Sequence, residues 1–363
     1  MNKYKIYVYA ISKNEAKFAQ RWCDSMQEAD EIYVLDTGST DDTVKILEKN
    51  NVHVKIEKIT PWRFDTARNK SLNMVPKDAD ICVCTDLDEV LEKGWRKKLE
   101  KIWNKDTTRL KYNYNWSFDK YGNPAVNFYN EKIHKREGYK WTHPVHEVLV
   151  YNKEERVITT DEITLNHYPD TSKSRAAYLP LLELSVKEDP EDDRNMHYLG
   201  REYMYHEKYD KAIETLKKHL TLKKATWKDE RAASMRYIAR CYEYQGKIND
   251  AAIWYQKSIK EAPYLREAYT EFAFLEYQNK HYNKVIELVN LALNINEKNK
   301  NYITEPYCYD GTLYDLLSMC LYEKGRIKEA YIYTTIALEY AKDDERLKNN
   351  KEYFEKLIKN ATP

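Results

Sequence analysis

The sequence is poor in glycine, and none of its glycines forms a phosphate-binding motif. Only eight glycines occur in 363 residues, and they make neither the G-x-G-x-x-G pattern of dinucleotide-binding folds nor a P-loop. The chain also lacks an apolar run of the roughly 18 residues that a membrane-spanning helix needs, and its N-terminus does not follow the pattern of a signal peptide. We therefore expect a soluble, cytoplasmic protein that neutralises any bound phosphate by other means.

The chain has no excess of either charge. Its 60 basic residues balance 59 acidic ones, for a net charge of +1, which argues against a nucleic-acid partner.

The six cysteines include one C-x-C pair, Cys82 and Cys84, which alternates with Ile81 and Val83 in an apolar run. This pattern favours buried structural thiols over a metal or redox site.

The first part of the chain, residues 1–175, has the pattern of an α/β domain. Short runs rich in Val, Ile and Tyr alternate with segments of helical spacing, and these runs read KIYVYAIS, EIYVLD, VHVKIEKI and DICVCTD. Such alternation is typical of βαβ units, so we expect a mostly parallel, Rossmann-like sheet with right-handed crossovers. Between residues 109 and 168 the pattern changes to aromatic-rich strands, which we expect to extend the sheet and to wall a pocket.

The second part, residues 176–363, has an almost entirely helical pattern that repeats. Ala239 and Ala273 are 34 residues apart, as are Ile248 and Tyr282. This period resembles that of tetratricopeptide repeats, in which stacked helix pairs bury apolar stripes that no single pair could bury alone. Four such units are predicted, and an ordinary helical bundle is the alternative.

Acidic residues follow two of the predicted strands. Asp36 ends the second strand, in VLDTGSTDDT, and Asp86 and Asp88 follow the fourth strand in a D-x-D pattern. Residues at positions i and i+2 of an extended chain point the same way, so these two carboxylates repel each other unless a hard divalent ion lies between them. Solvated acids in a strand-end loop are the alternative. Asp41 and Asp42 are more simply explained as acids at a helix N-terminus.

Five motifs occur in an order and approximate spacing that resemble those of glycosyltransferase family 2. They read AISKNEA, LDTGSTDDT, FDTARN, DLDE and HPVHE and lie between residues 5 and 170. The resemblance implies a GT-A fold, and it is greatest for the branch that carries tetratricopeptide repeats. That branch includes enzymes that glycosylate bacteriocin peptides and others that act on surface glycans.

The resemblance also implies the substrates and the binding residues. It implies a nucleotide-sugar donor. We expect this donor to be a UDP-sugar, the acceptor to be a peptide or protein, and the cofactor to be Mn²⁺ or Mg²⁺. The donor-side residues that the resemblance implies are the main chain of Ala10, Ile11 and Ser12 together with Asp36 for the nucleoside, Arg68 and Asn69 beside the donor, Asp86 for the ribose or the metal, and Asp88 for the metal.

The HPVHE motif offers a further metal ligand and a base. The imidazole of His146 is a candidate metal ligand, and Glu147 is the candidate base that deprotonates the acceptor. We expect His146 to lie on a strand-like run. Neighbours on a strand point to opposite faces, so both side chains reach one site only if the backbone turns, which Pro144 makes possible. Glu89 and Asp65 are alternative bases. His143 is expected to be structural, whereas His167 either faces the donor phosphates or merely closes the domain.

The preferred hypothesis is a metal-dependent inverting glycosyltransferase whose repeats hold a peptide or protein acceptor in their concave groove. One alternative is a glycosyltransferase of lipopolysaccharide or cell-wall glycan synthesis, in which the repeats serve homo-oligomerisation. A nucleotidyltransferase is less favoured, because AISKNEA contains neither the glycine nor the arginine of its usual loop. A non-catalytic repeat scaffold is disfavoured by the intact motifs.

Overall fold

A computed structural model describes residues 3–170 and 178–360. The chain divides into two compact units, Met1–Glu188 with Lys300–Tyr302, and Asp189–Asn299 with Ile303–Pro363. The predicted boundary between residues 175 and 176 falls in the segment 171–177, outside the described residues.

The first unit is built on an eight-stranded sheet in the order β3-β2-β1-β4-β7-β6-β10-β5. Its strands β1 to β4 are parallel to one another, β7 is antiparallel to both β4 and β6, and β5 is antiparallel to β10. A separate two-stranded hairpin pairs β8 with β9. The strands are β1 (Ile6–Ser12), β2 (Glu31–Asp36), β3 (His53–Ile56), β4 (Ile81–Cys84), β5 (Glu89–Leu91), β6 (Arg109–Phe118), β7 (Pro124–Lys135), β8 (Tyr139–Thr142), β9 (Val148–Tyr151) and β10 (Val157–His167).

Helices occupy the segments between the parallel strands, as the alternating pattern predicts for a GT-A fold. The helices of this unit are α1 (Ala16–Met26), α2 (Thr43–Lys49), α3 (Phe64–Met74), α4 (Trp95–Ile102) and α5 (Tyr178–Glu188). All seven residues of β1 are buried, because a central parallel strand is covered on both faces. Alternate residues of β1 enter different cores: Val8 packs in a cluster with Trp22, whereas Tyr9 packs in a cluster with Trp141.

All six cysteines are buried free thiols. Cys82 and Cys84 lie on β4, in the same cluster as Tyr9 and Trp141. They are therefore core residues of a strand, as the alternating pattern predicts.

The HPVHE segment is a bend and not part of a strand. Strand β9 begins only at Val148, and residues 143–146 form the bend that follows β8. His143 and His146 both have left-handed backbone conformations, with φ of 75° and 49°. The expectation that His146 lies on a strand is therefore wrong, and the turn on which a shared site depends is present.

The second unit consists of helices in successive pairs. They are α6 (Asp193–Tyr205), α7 (Tyr209–His219), α8 (Lys228–Tyr244), α9 (Ile248–Glu261), α10 (Arg266–Gln278), α11 (Tyr282–Leu293), α12 (Thr312–Glu323), α13 (Ile327–Tyr340) and α14 (Glu345–Asn360). Helices α6/α7, α8/α9, α10/α11 and α12/α13 form four helical hairpins, and α14 packs on α13. Four helix pairs of this kind confirm the prediction of a tetratricopeptide-repeat region.

The first helices of successive hairpins line one face of the second unit. Helix α8 packs on both α6 and α10, so these three helices form a layer that we call the inner face. The helices of one hairpin approach closely at Gly200 of α6, where an added Cβ would lie 2.5 Å from the side chain of Leu216 on α7.

Over the described ranges 3–170 and 178–360, no helix has the length and apolar character that crossing a bilayer requires.

Candidate active site

The predicted donor-side residues lie at the carboxyl ends of neighbouring parallel strands. Strand β1 lies between β2 and β4, and Ser12 at its end pairs in register with Asp36 at the end of β2. Asp86 follows the end of β4 by two residues. Open α/β sheets bind ligands at this edge, so the strand ends define the candidate site.

Asp36 organises the loop that follows β2. Its carboxylate accepts hydrogen bonds from the backbone of Gly38 at 3.0 Å and of Ser39 at 2.8 Å, and from the hydroxyl of Ser12 at 2.8 Å and of Ser39 at 2.5 Å. The side chain is fully buried. Its contacts in this structure are thus with its own loop and β1, and a contact with the nucleoside stays a prediction.

The main chain at the end of β1 is also held by neighbouring side chains. The carbonyl of Ala10 accepts a hydrogen bond from the hydroxyl of Ser71 at 2.7 Å, and that of Ser12 accepts one from the backbone of Thr37 at 2.8 Å. Ile11 lies between them and is buried. These contacts fix the backbone of residues 10–12, where the nucleoside is predicted to bind.

Arg68 joins two of the sequence motifs. Its Nη2 lies 2.5 Å from Oδ1 of Asp86, and its Nε lies 3.0 Å from Oε1 of Glu147. The arginine side chain is only 4% exposed. Burial opposes the charged guanidinium, but the two carboxylates outweigh it and raise the pKa of Arg68. The structure therefore brings Arg68, Asp86 and Glu147 together, as a shared site requires.

Lys132 is a site residue that the sequence analysis missed. From β7, its Nζ lies 3.0 Å from Oδ2 of Asp86 and 3.7 Å from Oε1 of Glu89. Burial opposes the charged form of Asp86, but Arg68 and Lys132 outweigh it and hold the pKa of that carboxyl well below its usual range. Strand β7 also carries Asn127, Asn130, Glu131, His134 and Lys135, so its sequence does not single out Lys132.

Glu89, one of the alternative bases, is buried and engaged at both oxygens. It accepts hydrogen bonds from the hydroxyl of Tyr114 at 2.7 Å and from the backbone of Asp86 at 2.8 Å. Burial is the main cause that raises the pKa of Glu89, with the nearby Asp86 and Asp88 adding to it. These contacts suit a carboxyl group that holds the backbone of the loop after β4 in place.

Asp88 faces a buried histidine. Its Oδ2 lies 3.4 Å from Nε2 of His167, whose Nδ1 lies 2.9 Å from the carbonyl oxygen of Trp116. The ring of Trp116 stacks on the imidazole, with centroids 4.4 Å apart. Burial lowers the pKa of His167, but Asp88 outweighs it and raises the pKa overall. His167 is thus part of the site, and its backbone closes the sheet beside β5.

The FDTARN and HPVHE motifs interlock. The backbone N–H of Phe64 donates to the carbonyl of Pro144 at 3.0 Å. The side chain of Asn69 exchanges two hydrogen bonds with the backbone of Trp141, at 2.8 and 2.9 Å. Together with the Arg68 to Glu147 ion pair, these bonds fix the β8–β9 hairpin on α3. Asn69 therefore positions the hairpin, and its predicted place beside the donor stays a prediction.

The two remaining candidates of these motifs, His146 and Asp65, lie on the side of the motifs that faces α5. The ring of His146 is 5.9 Å from that of Tyr178 at the start of α5. Asp65 pairs with Arg63 at 2.9 Å, and Arg63 pairs in turn with Glu188 at 2.6 Å. Asp65, whose side chain is only 12% exposed, is thus already paired with a basic side chain. The roles of His146 as a metal ligand and of Glu147 as the base stay predictions.

The acidic residues suit a cation that takes most of its ligands from the substrate. Asp86 already contacts two basic side chains, so Asp88, whose side chain is 22% exposed, is the carboxylate better placed to ligate. In the part of the chain that the structure describes, no three His, Cys, Asp or Glu side chains converge in a metal-binding cluster. Mg²⁺ commonly binds one or two carboxylates and completes its shell with phosphates and water. The residues present fit that mode of binding.

Comparison with known proteins gives a family for the first unit. Residues 7–155 match the model of the family described as Glycosyl transferase family 2. A comparison with curated proteins finds no match.

Several solved structures are similar to this chain. MamA is 19% identical, covers 49% of this chain and 99% of its own, and has a TM-score of 0.38. YrrB, described as a TPR protein with an unusual peptide-binding site, is 13% identical, with coverages of 50% and 85% and a TM-score of 0.39. PilF of Pseudomonas aeruginosa is 13% identical, with coverages of 48% and 71% and a TM-score of 0.37.

The family match agrees with the geometry of the first unit. The matched residues include the ends of β1, β2 and β4 and the interlocked α3 and β8–β9 hairpin. Residues 7–155 thus form a domain that is similar to glycosyl transferase family 2, and this match supports a glycosyltransferase.

Proposed function

We propose that this glycosyltransferase moves a sugar from a UDP-sugar to a peptide or protein acceptor, with Mn²⁺ or Mg²⁺ held at Asp88. The observation that carries the proposal is the unequal surroundings of the two D-x-D acids. Asp86 lies between Arg68 and Lys132, whereas Asp88 faces His167 at the edge of the site. The first acid is already neutralised, which leaves the second for a cation.

Several charged groups meet where the donor diphosphate is proposed to bind. Arg68 and Lys132 supply two positive charges, and His167 faces Asp88, against the carboxylates of Asp86, Asp88, Glu89 and Glu147. This balance is negative, so a dianionic diphosphate requires a further positive charge in the site. A divalent ion, when bound, would offset the charge that builds on the leaving phosphate.

We assign the proton transfer to Glu147. Arg68 fixes its carboxylate through Nε at 3.0 Å, and the bend at residues 143–146 turns the motif toward α3. In the proposed step the acceptor oxygen forms a bond to the anomeric carbon, and Glu147 takes the acceptor proton. The bond from that carbon to the diphosphate breaks, and its electron pair leaves with UDP. This single displacement inverts the anomeric configuration.

We propose a peptide or protein as the acceptor because the catalytic domain is followed by helical repeats. Stacked helix pairs present extended surfaces that suit peptide segments. The resemblance to the branch that glycosylates bacteriocin peptides favours the same class. A lipopolysaccharide or cell-wall glycan is the second candidate acceptor, and the repeats would then mediate homo-oligomerisation.

We propose a cytoplasmic location, since six free cysteines suit a reducing compartment.

Calorimetric titration of UDP with and without Mn²⁺ tests the donor side. We expect Asp88→Asn to fold normally and to lose the metal-dependent part of UDP binding. Asp42→Asn is the matched control, because Asp42 is an exposed acid at the start of α2, and it should bind as the wild type does. Unchanged UDP affinity of Asp88→Asn in Mn²⁺ would refute the assignment. Transfer assays with peptide and glycolipid acceptors then separate the two acceptor classes.

A further inference from the structure

A short segment of the chain lies across the inner face of the second unit. Between α11 and α12, Ile303–Tyr309 contacts side chains of both α8 and α10. The carbonyl of Ile303 accepts a hydrogen bond from Nη2 of Arg236 on α8 at 3.3 Å. At the other end, the carbonyl of Cys308 accepts one from Nη1 of Arg266 on α10 at 3.2 Å. We call these seven residues the resident segment.

The backbone of the resident segment is extended at its centre. Glu305 has φ of −97° and ψ of 114°, and a single 3₁₀ turn, Pro306–Cys308, follows it. The N–H of Glu305 donates to Oε1 of Glu267 on α10 at 3.4 Å. The segment thus contacts the repeats through its main chain at several points, as an extended peptide ligand does.

The side chain of Glu305 inserts between two arginines of α8. Its Oε1 lies 2.7 Å from Nη2 of Arg240 and 3.4 Å from Nη1 of Arg236. The same two guanidinium groups contact Glu271 of α10. Arg236 and Glu271 are only 2% and 4% exposed, so these charges interact with little screening by water.

Glu305 completes the charge balance of this cluster. Two guanidinium groups face the single carboxylate of Glu271, and the second carboxylate comes from the resident segment. Burial raises the pKa of the neighbouring Glu267, which therefore compensates less than a fully ionised acid would. Removal of Glu305 leaves a buried positive charge uncompensated, which is costly. An inner face without its segment would consequently attract an acidic side chain.

Tyr307 gives the contact a second specific feature. Its hydroxyl accepts a hydrogen bond from Nη2 of Arg240 at 3.1 Å and donates one to Oε1 of Glu271 at 3.2 Å. Its ring lies against Phe274 of α10, with centroids 5.9 Å apart. The surface therefore recognises a glutamate followed two positions later by a tyrosine.

We propose that the inner face of α8 and α10 is a binding site for an acidic and aromatic peptide segment of the pattern Glu-x-Tyr. Its resident ligand is the chain's own Ile303–Tyr309. A peptide from another source occupies the site only when the resident segment leaves it. Any acceptor that uses this part of the groove must displace that segment. The proposal is independent of the transfer reaction, because binding can be measured without a donor.

A labelled peptide that copies residues 301–310, with serine in place of Cys308, tests the proposal by fluorescence anisotropy on the full chain. We expect Glu305→Lys to repel the resident segment from Arg236 and Arg240 and to open the site. The apparent affinity of a site scales with the fraction of molecules in which it is open, so the peptide should bind this variant about tenfold tighter or more than the wild type. The matched control is Glu297→Lys, the same charge reversal at an exposed position of the same connection, which should bind as the wild type does.

Two results would overturn the proposal. One is equal binding of the peptide to the wild type and to Glu305→Lys, because the site would then not be occupied. The other is no binding to a Glu305→Lys chain whose circular dichroism is native. If that variant does not fold, Glu305→Gln is used in its place, because glutamine keeps the shape of the side chain and removes its charge. The same two results would then overturn the proposal. A peptide carrying Glu305→Lys should bind none of these chains.

Discussion

The guanidinium of Arg68 lies between two carboxylates from different motifs, 2.5 Å from Asp86 and 3.0 Å from Glu147. Its side chain is almost inaccessible to water, while Glu147 is itself only 11% exposed. One residue of α3 thus ties the end of β4 to the bend before β9. The positions of Asp86 and of the candidate base Glu147 depend on it.

Arg68→Met should destabilise the protein strongly. It leaves the carboxylates of Asp86 and Glu147 without their shared partner, and breaking a buried pair in this way costs about 3–5 kcal/mol. Denaturant unfolding followed by circular dichroism measures the change. Arg326→Met is the control, because Arg326 is 48% exposed and pairs with the similarly exposed Glu329; its loss should cost much less, since exposed ion pairs contribute little to stability. Equal losses in the two variants would contradict the role given to Arg68.

Glu147→Gln should bind UDP normally and lose transfer to a hydroxyl acceptor by about two to four orders of magnitude, the range of general-base catalysis. A thiol acceptor should be affected less, since a thiol is already a few per cent ionised at neutral pH. Initial rates with paired hydroxyl and thiol acceptors measure the difference. Glu154→Gln, an exposed change nearby, should have no effect. A larger loss in Glu89→Gln than in Glu147→Gln would move the base to Glu89.

The product should have the inverted anomeric configuration. In a single displacement the acceptor attacks opposite the leaving diphosphate, so an α-linked donor gives a β-linked product. The coupling constant of the product's anomeric proton in an NMR spectrum distinguishes the two linkages. Retention would exclude the single displacement and, with it, the placement of Glu147 as base.

The first unit should lose stability in mild acid through His134. This buried histidine accepts a hydrogen bond from Tyr9 at Nε2, 2.8 Å away, and donates one from Nδ1 to the carbonyl of Lys135 at 2.7 Å. Burial is the main cause that lowers the pKa of His134 to about 3. The unfolded chain binds a proton below a pKa of about 6.5, and the folded one does not. Between these values, the free energy of unfolding should therefore fall by about 1.4 kcal/mol per pH unit as the pH drops.

Denaturant unfolding of His134→Gln at pH 7 and pH 5 checks this expectation. The variant is less stable than the wild type at pH 7, because it loses the Tyr9 contact, but it should lose less stability on acidification. His53→Gln is the control, since His53 is an exposed histidine. The free energy of unfolding of this variant should fall between pH 7 and pH 5 by as much as that of the wild type. A parallel pH dependence in His134→Gln and the wild type would show that His134 is not the group responsible.

Much of the fold could be predicted because its elements have strong periodic patterns. The runs that became β1, β2 and β4 are short and mostly apolar, as central parallel strands are. The 34-residue spacing from Ala239 to Ala273 places the two alanines at matching buried positions of α8 and α10. These features depend on local sequence, so no knowledge of distant contacts is needed to predict them.

The candidate site was less predictable because it depends on which strands become neighbours. Lys132 reaches Asp86 only because β7 inserts between β4 and β6, and no local pattern reports that order. The bend at His146 was not predicted, since VHEVLVY has the valine-rich and aromatic composition of a strand. Its left-handed backbone is stabilised by contacts with α3 that lie about 80 residues away in sequence.

The burial of every cysteine makes thiol chemistry a reporter of local opening. A thiol reagent reacts with such a group only when the surrounding structure opens, so each labelling rate measures the stability of one region. Cys82 and Cys84 report on the central sheet of the first unit, and Cys320 on α12. Cys308 belongs to the segment that covers the inner face. Its modification, followed by mass spectrometry, would time the departure of that segment in the unaltered protein.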